Sequence, residues 1–357
     1  MTILTLCDVC MAQDNGFTTC FEISGLPDST RFEVRIHDGA NFSDCRFDTL
    51  YLVNGKAVLN DVSKAKDPVR AYVFSDYGNI SFFVQNGQTE LVAGDKEDIE
   101  KETLRFEGAP WSQDIMDFNR EIGTLTHELQ EKSSNFGSMS DEERREYREL
   151  YEKVASLEKE FYLNHPNSWH TLAEMESYYM MEIPKDDLRK LYDQLLSEQR
   201  NSVYGQTIKR YLDVRTIEKG DSLKDFNIVA KDQNGDQFNL MEVKEPYILL
   251  DFSQLYCGPC KAAVKEMHEI KEKYADKVAF INFSSDDSEE EWQEMVKRDK
   301  ITWPSLYDGG SKGTVCLKYN VNSYPSFFLF GPDRTLIDIT KGYSKGMLDK
   351  YLSHFVK

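Results

Sequence analysis

Two cysteines three positions apart, Cys257 and Cys260, carry the clearest chemical potential in this chain. They enclose Gly258 and Pro259, and they follow a continuous apolar run, Tyr247 to Phe252, broken by a single acid, Asp251. Such a run reads as a strand buried on both faces. The stretch after it, 259–275, has helical character, so the first thiol stands where a helix begins. Free amide N–H groups and the positive end of the helix dipole favour an anion there, which eases ionisation of Cys257. Only a thiolate attacks a disulfide, so that placement suits thiol–disulfide exchange. The offset of three brings the second sulfur beside the first on the opening turn. Gly258 and Pro259 make a tight turn without bulk, and proline is tolerated at a helix start because no internal amide is lost.

A lone pair of this kind also occurs as half of a zinc site or as an inert disulfide. Zinc wants four ligands, and the other such pair, Cys7 and Cys10, lies at the extreme N-terminus. No His-x-x-x-His pair accompanies the motif, so no metal is expected. Placement between strand and helix favours the redox reading.

Around the motif, the chain from 219 to the end alternates strands and helices. Residues 226–229 and 238–240 flank the turn Asn234-Gly235. The run 277–283 is a second central strand, 288–298 is amphipathic with Trp292 and Met295 on one face, 326–330 and 335–339 form a hairpin, and 347–355 closes as a helix. This pattern predicts a mixed α/β sheet covered by helices. Residues 16–95 have strand periodicity instead, as in Arg31-Phe32-Glu33-Val34-Arg35-Ile36, punctuated by Asn54-Gly55 and Asn86-Gly87. A small antiparallel sandwich or barrel is expected there. Between them, 96–218 has helical spacing: Tyr147, Leu150, Val154, Leu157 and Phe161, then Leu188, Leu191 and Leu195. Ser140 with Glu143 resembles a capping box. This segment reads as a helical spacer, giving a multidomain chain.

The formal charge, 43 − 62 = −19, repels nucleic-acid phosphate and anionic lipid, so neither is an expected partner. No stretch approaches the ~18 apolar residues of a membrane-spanning helix. Residues 1–15 resemble the remnant of an export signal that lacks a basic start, with Cys10-Met11-Ala12 as the cleavage site; a strand-forming terminus is the alternative. Cys20 and Cys45 are either a pair or two small buried residues.

From Gly220 onward the chain resembles the thioredoxin superfamily, and within it the TlpA/ResA-like envelope oxidoreductases. The likeness rests on Gly220-Asp221-Ser222-Leu223, the strand through Asp251, Tyr256 to Lys261, Trp303-Pro304, Cys316 to Val321, and Tyr324-Pro325 before an apolar strand. More loosely, Phe21 to Pro27, Val53 to Lys56 and Val92 to Asp95 resemble a β-rich domain of unknown function that often precedes such domains in bacterial envelope proteins. The resemblance implies that Cys257 attacks a protein or peptide disulfide and that Cys260 resolves the mixed disulfide. It further implies that Asp251 moves a proton at Cys260, that Pro325 is cis, and that the Tyr324 backbone, with Tyr256 nearby, meets the substrate. No cofactor beyond the redox-active disulfide is implied. A membrane thiol-reducing donor and a periplasmic location are.

Departures stand beside the likeness. Tyr256 and Ser253 replace common tryptophans, and Phe280 falls where thioredoxin carries a lysine near the buried acid. Lacking that cation, Asp251 should ionise less readily. Cys316 has no assigned role. A peroxiredoxin is disfavoured because Leu250 and Gln254 stand where its Pro and Thr belong. A passive binding or scaffold protein, or an oxidase or isomerase, are the competing readings. Gly-Pro between the cysteines favours a reductant, thioredoxin's potential being about −270 mV.

Overall fold

The computed structural model describes residues 16–37, 45–134, 139–177 and 179–357. The suspected export signal lies outside them. The chain divides into two compact units inside one helix, between Lys209 and Arg210. Met181–Pro184 belongs with the second unit, Arg210–Lys357.

In the first unit, β1 (Phe17–Ser24), β2 (Arg31–His37), β3 (Cys45–Tyr51), β4 (Lys56–Asp61), β5 (Val69–Ser75), β6 (Gly78–Val84), β7 (Thr89–Asp95) and β8 (Arg105–Glu107) form two open four-stranded sheets. Their orders are β4-β1-β7-β8 and β3-β2-β5-β6. Alternation decides the faces: Phe32, Val34 and Ile36 are buried while Arg31 and Glu33 face water. Phe21 of one sheet meets Phe32 and Phe82 of the other at 5.8 and 5.6 Å between ring centroids. The expected all-antiparallel order fails at one place, because β1 and β7 run parallel. A parallel pair needs a long crossover, and β2 to β6 supply it. Cys20 is buried in β1, and it is not bonded to Cys45.

The helices α1 (Lys96–Glu100), α2 (Ser112–Phe118), α3 (Thr124–Ser134), α4 (Asp141–Asn164), α5 (Trp169–Ser177), α6 (Lys185–Gln194), α7 (Ser197–Asn201) and α8 (Val203–Asp213) follow. Ser140 and Glu143 close the anticipated capping box at the head of α4. The expectation of a separate spacer over 96–218 needs correction. β8 lies within it and pairs with β7, and up to Lys209, Met181–Pro184 excepted, the segment shares one compact unit with the sheets. A three-residue strand is too short to show a period, so helical spacing dominated the pattern. Arg70 of β5 forms a largely buried ion pair with Glu174 of α5, donates to His170 Nδ1 at 3.3 Å, and gives its backbone N–H to the Tyr204 hydroxyl at 3.0 Å.

In the second unit β9 (Val229–Lys231) and β10 (Gln237–Asn239) make a hairpin, with Gly235 at a positive φ that its turn requires. Five strands form the main sheet in the order β13-β12-β11-β14-β15: β11 (Tyr247–Ser253), β12 (Val278–Ser284), β13 (Ser305–Leu306), β14 (Ser326–Phe330) and β15 (Leu336–Lys341). β11 is central, parallel to β12 and antiparallel to β14. Around it lie α9 (Gly258–Ile270), α10 (Glu289–Asp299), α11 (Thr314–Tyr319) and α12 (Met347–Phe355). Residues alternate across β11. Ile248, Leu250 and Phe252 pack with Phe283, Tyr319 and Phe328 on one face. Leu249 packs on the other with Ala263, Val264 and Met267 of α9 and with Trp292 of α10. Asp251 and Ser253 share the face of Leu249, and so point to the layer containing α9. Among the described residues, no helix is long and apolar enough to cross a membrane.

Candidate active site at the end of the central strand

A four-residue turn, 254–257, leads from β11 into α9, and three successive residues, Ser253 to Leu255, are held by the segment following β12, Gln254 through its side-chain amide. Ser285 N–H donates to Ser253 O at 2.9 Å, the Gln254 amide donates to Ser285 O at 3.0 Å, and Leu255 N–H donates to Asp286 Oδ1 at 2.7 Å. Arg298 of α10, paired with Asp299, donates to Leu255 O. Both sides of the Leu255 peptide are therefore fixed, two residues ahead of Cys257.

Cys257 and Cys260 are joined in a disulfide, with Cα atoms 5.2 Å apart. Cys257 is the N-cap residue of α9, and its sulfur accepts the Cys260 N–H at 3.1 Å. The two sulfurs differ in access. Cys257 is half-buried and Cys260 is 1% exposed. Gly258 and Pro259 are exposed at the first turn, and Tyr256 is 83% exposed. Tyr256, Gln254, Asp286, Asp287 and Glu291 line a hollow of about 160 Å³ beside the motif.

Asp251 is completely buried. Its Oδ2 accepts from Asn282 Nδ2 at 3.3 Å, and its Oδ1 has no hydrogen-bond partner among the described residues. Burial pushes this carboxyl up to about 7 against the pull of the Asn282 hydrogen bond, and Asp299 adds to the push. Phe280 packs against Trp303, with ring centroids 6.0 Å apart, and offers the acid no cation. A carboxyl held there exchanges protons near neutrality, as acid–base work at a thiol requires.

The Tyr324–Pro325 peptide is cis, and Pro325 is buried immediately before β14. The Tyr324 hydroxyl bonds Ser285, so one serine ties this loop to the turn carrying Cys257. Burial pushes the Tyr324 phenol up, with Cys316 adding to the effect. Cys316 is fully buried, with its sulfur 3.2 Å from Ser285 Oγ, and burial pushes its thiol up to about 12. It is thus protonated and shielded, whereas Cys257 at the helix start is half-buried.

Sequence reasoning missed the partners of these residues: Asn282, Ser305, Asp286 and Arg298. Asn282 had a signal, since it interrupts the apolar run of β12 as Asp251 interrupts that of β11. The two are register partners. Asp286 and Arg298 sit among ordinary surface charges and had none.

A dithiol closing the central strand of a helix-covered sheet, with a buried acid behind it and a cis-proline on the adjacent segment, defines a thioredoxin-like redox domain. The comparisons agree. The Thioredoxin-like family model matches residues 245–336. The chain is 30% identical over 129 residues to thioredoxin-like protein YneN of Bacillus subtilis strain 168, spanning 35% of this chain and 73% of that one. It is also 30% identical over 128 residues to thiol-disulfide oxidoreductase ResA of Bacillus thuringiensis subsp. konkukian, with the same coverage of 35% and 73%. Among solved structures, StoA from Bacillus subtilis matches with 20% identity and a TM-score of 0.31, covering 36% of this chain and 96% of that one. The chain belongs to the thioredoxin-like thiol-disulfide oxidoreductases, through its second unit.

Proposed function

We propose that this protein reduces protein disulfides in the bacterial cell envelope, with Cys257 attacking and Cys260 resolving. The observation that carries this reading is the unequal access of the two sulfurs at the start of α9: Cys257 half-buried on the cap, Cys260 enclosed. From the reduced state, the Cys257 thiolate attacks one sulfur of a substrate disulfide, and the other substrate sulfur leaves and takes a proton. The Cys260 thiol gives its proton to Asp251, and its thiolate attacks Cys257. The second substrate thiolate departs. Two electrons have then passed to the substrate, and the internal disulfide has formed.

A membrane thiol-reducing donor returns the pair to the dithiol. The disulfide itself is the only redox group this scheme uses. Tyr256, the adjacent hollow and the backbone at Tyr324 would seat an extended substrate segment in the manner of an added strand. The envelope assignment rests on the family resemblance and on the export-like character of residues 1–15. The two sheets in contact through Phe21 are read as a sandwich, with no chemistry assigned to it.

The test is a redox titration of the full chain, with alkylated thiols at 257 and 260 counted by mass spectrometry. A midpoint near or below about −250 mV supports a reductant, and one above about −180 mV favours oxidase or isomerase work. Cys260→Ser should accumulate a mixed disulfide with substrate, whereas Cys257→Ser should accumulate none. A pair that never cycles would leave a binding module in place of an enzyme.

A further inference from the structure

Behind the dithiol runs a line of hydrogen bonds whose direction is set at its far end. Trp292 Nε1 donates to Ser305 Oγ at 2.8 Å, and Ser305 Oγ donates to Asn282 Oδ1 at 2.6 Å. Asn282 Nδ2 then donates to Ser253 Oγ at 2.6 Å, to Asp251 Oδ2 at 3.3 Å and, more weakly, to the Asp251 backbone O at 3.4 Å. Ser253 Oγ donates in turn to Met295 Sδ at 3.5 Å. Each of these residues is buried, from 0% exposed at Asn282 to 4% at Trp292. Water therefore does not compete for the bonds.

An indole N–H can only donate. Ser305 accepts from it and places its own single proton on Asn282 Oδ1. The Asn282 carbonyl oxygen is thereby held on Ser305, and its NH₂ faces Asp251. An amide NH₂ cannot accept, so the oxygen it meets, Oδ2, carries no proton. When Asp251 is protonated, the hydrogen is on Oδ1. That is the oxygen with no partner among the described residues, on a side chain pointing to the layer that contains α9 and Cys260.

We propose that Trp292 and Ser305 are positioning residues which, through Asn282, confine the Asp251 proton to Oδ1 and so choose the oxygen that exchanges it with the resolving thiol. The inference rests on the reading of Asp251 as the proton carrier for Cys260. Only one proton moves: from the Cys260 thiol to Oδ1 as the internal disulfide closes, and back as it opens. The chain of dipoles stays as it is. Without a cation, it favours the ionised acid by one amide donor on Oδ2. Asp299, paired with Arg298 on α10, is the charged group that acts on Asp251, and the variants below leave it in place.

Removing the indole donor releases Ser305, and the Asn282 amide can then turn its carbonyl toward Asp251. The acid would donate to that carbonyl from Oδ2, which stabilises its protonated form. Losing a donor to a carboxylate corresponds to an upward shift of about one pH unit. Trp292→Phe keeps most of the core volume, and Ser305→Ala breaks the same line with a smaller change. In the oxidised full-length protein, the carboxyl carbon of Asp251 is titrated by NMR in wild type and both variants, with Asp251→Asn assigning the resonance. The pH profile of insulin disulfide reduction is recorded alongside.

The expected result is a midpoint about one unit higher in both variants, with the pH profile displaced in the same direction. A midpoint unchanged in both folded variants would overturn the proposal, as would a shift downward. If the midpoints move upward but Asp251→Asn leaves the pH profile of reduction unaltered, the positioning stands and the proton-carrier reading falls.

Discussion

Glu174 and Asp251 are carboxylates withdrawn from water, the first in part and the second wholly, one in each unit, and they end in opposite states. Burial works against ionisation of Glu174, yet the Arg70 guanidinium, then His170 and the hydrogen bond from Arg70, hold it below the usual carboxylate range. Arg70 is raised in turn: burial works against its charge, and Glu174 outweighs that. His170, in contact with Arg70, drops to about 3 through burial and Arg70, and stays neutral. Asp251 has only an amide donor on one oxygen and rises to about 7. A full opposite charge locks a buried acid across the working pH range, whereas a single dipole leaves it able to titrate. The first arrangement suits a joint between β5 and α5; the second suits chemistry.

The contrast is sharpest in the pH dependence of stability. Asp251 has a folded value of about 7 against an ordinary 3.8, so between those values the folded state holds a proton that the unfolded state has lost. Stability from this residue is therefore present below about pH 4 and is lost as pH rises toward 7, a cost on the order of 4 kcal/mol. Asp251→Asn should remove that slope and leave the second unit more stable at pH 7, despite slower turnover. Hydrogen exchange of β11 amides in wild type and variant, followed from pH 4 to 8, measures it. A variant no more protected than wild type at pH 7 would break the comparison.

Neutralising the other carboxylate should act with opposite sign. Glu174→Gln strands the Arg70 charge and should destabilise the first unit by about 3 kcal/mol, seen as faster exchange in β5 and α5. Disulfide turnover should be unaffected. The rule concerns partners rather than units, and Glu90 sharpens it. This acid of the first unit accepts from a neutral hydroxyl, Ser112, at 2.8 Å, and burial pushes it up to about 8 against the pull of Ser112 and Trp111. Glu90→Gln should accordingly stabilise at pH 8, behaving like Asp251→Asn rather than like Glu174→Gln in its own unit. Smallest is Tyr204→Phe, which removes the acceptor of the Arg70 backbone N–H and should cost about 1 kcal/mol in denaturant unfolding, with no change in the ion pair's pH response.

How far this was legible in the sequence follows from the range of the interactions. The motif, the strand before it and the helix after it are local, and Cys257, Cys260 and Asp251 stand out by type within them. The capping box at Ser140 is local too. The parallel partnership of β1 and β7 joins residues some seventy positions apart, as in Thr18 with Thr89, and leaves no mark on either strand's alternation. The ion pair of Arg70 with Glu174 is of the same kind. Asn282 lay between these cases: an amide in an apolar strand is visible, but its alignment with Asp251 depends on register.

The sulfur of Cys257 caps α9 by accepting an N–H, a task that a serine oxygen performs equally well. The fold therefore has no architectural need for sulfur at this position. A single exchange of oxygen for sulfur would abolish electron transfer and keep the helix start, the turn and the surrounding surface intact. Chains of this architecture can pass from catalyst to pure binder in one mutational step, without crossing a valley of unfolded intermediates.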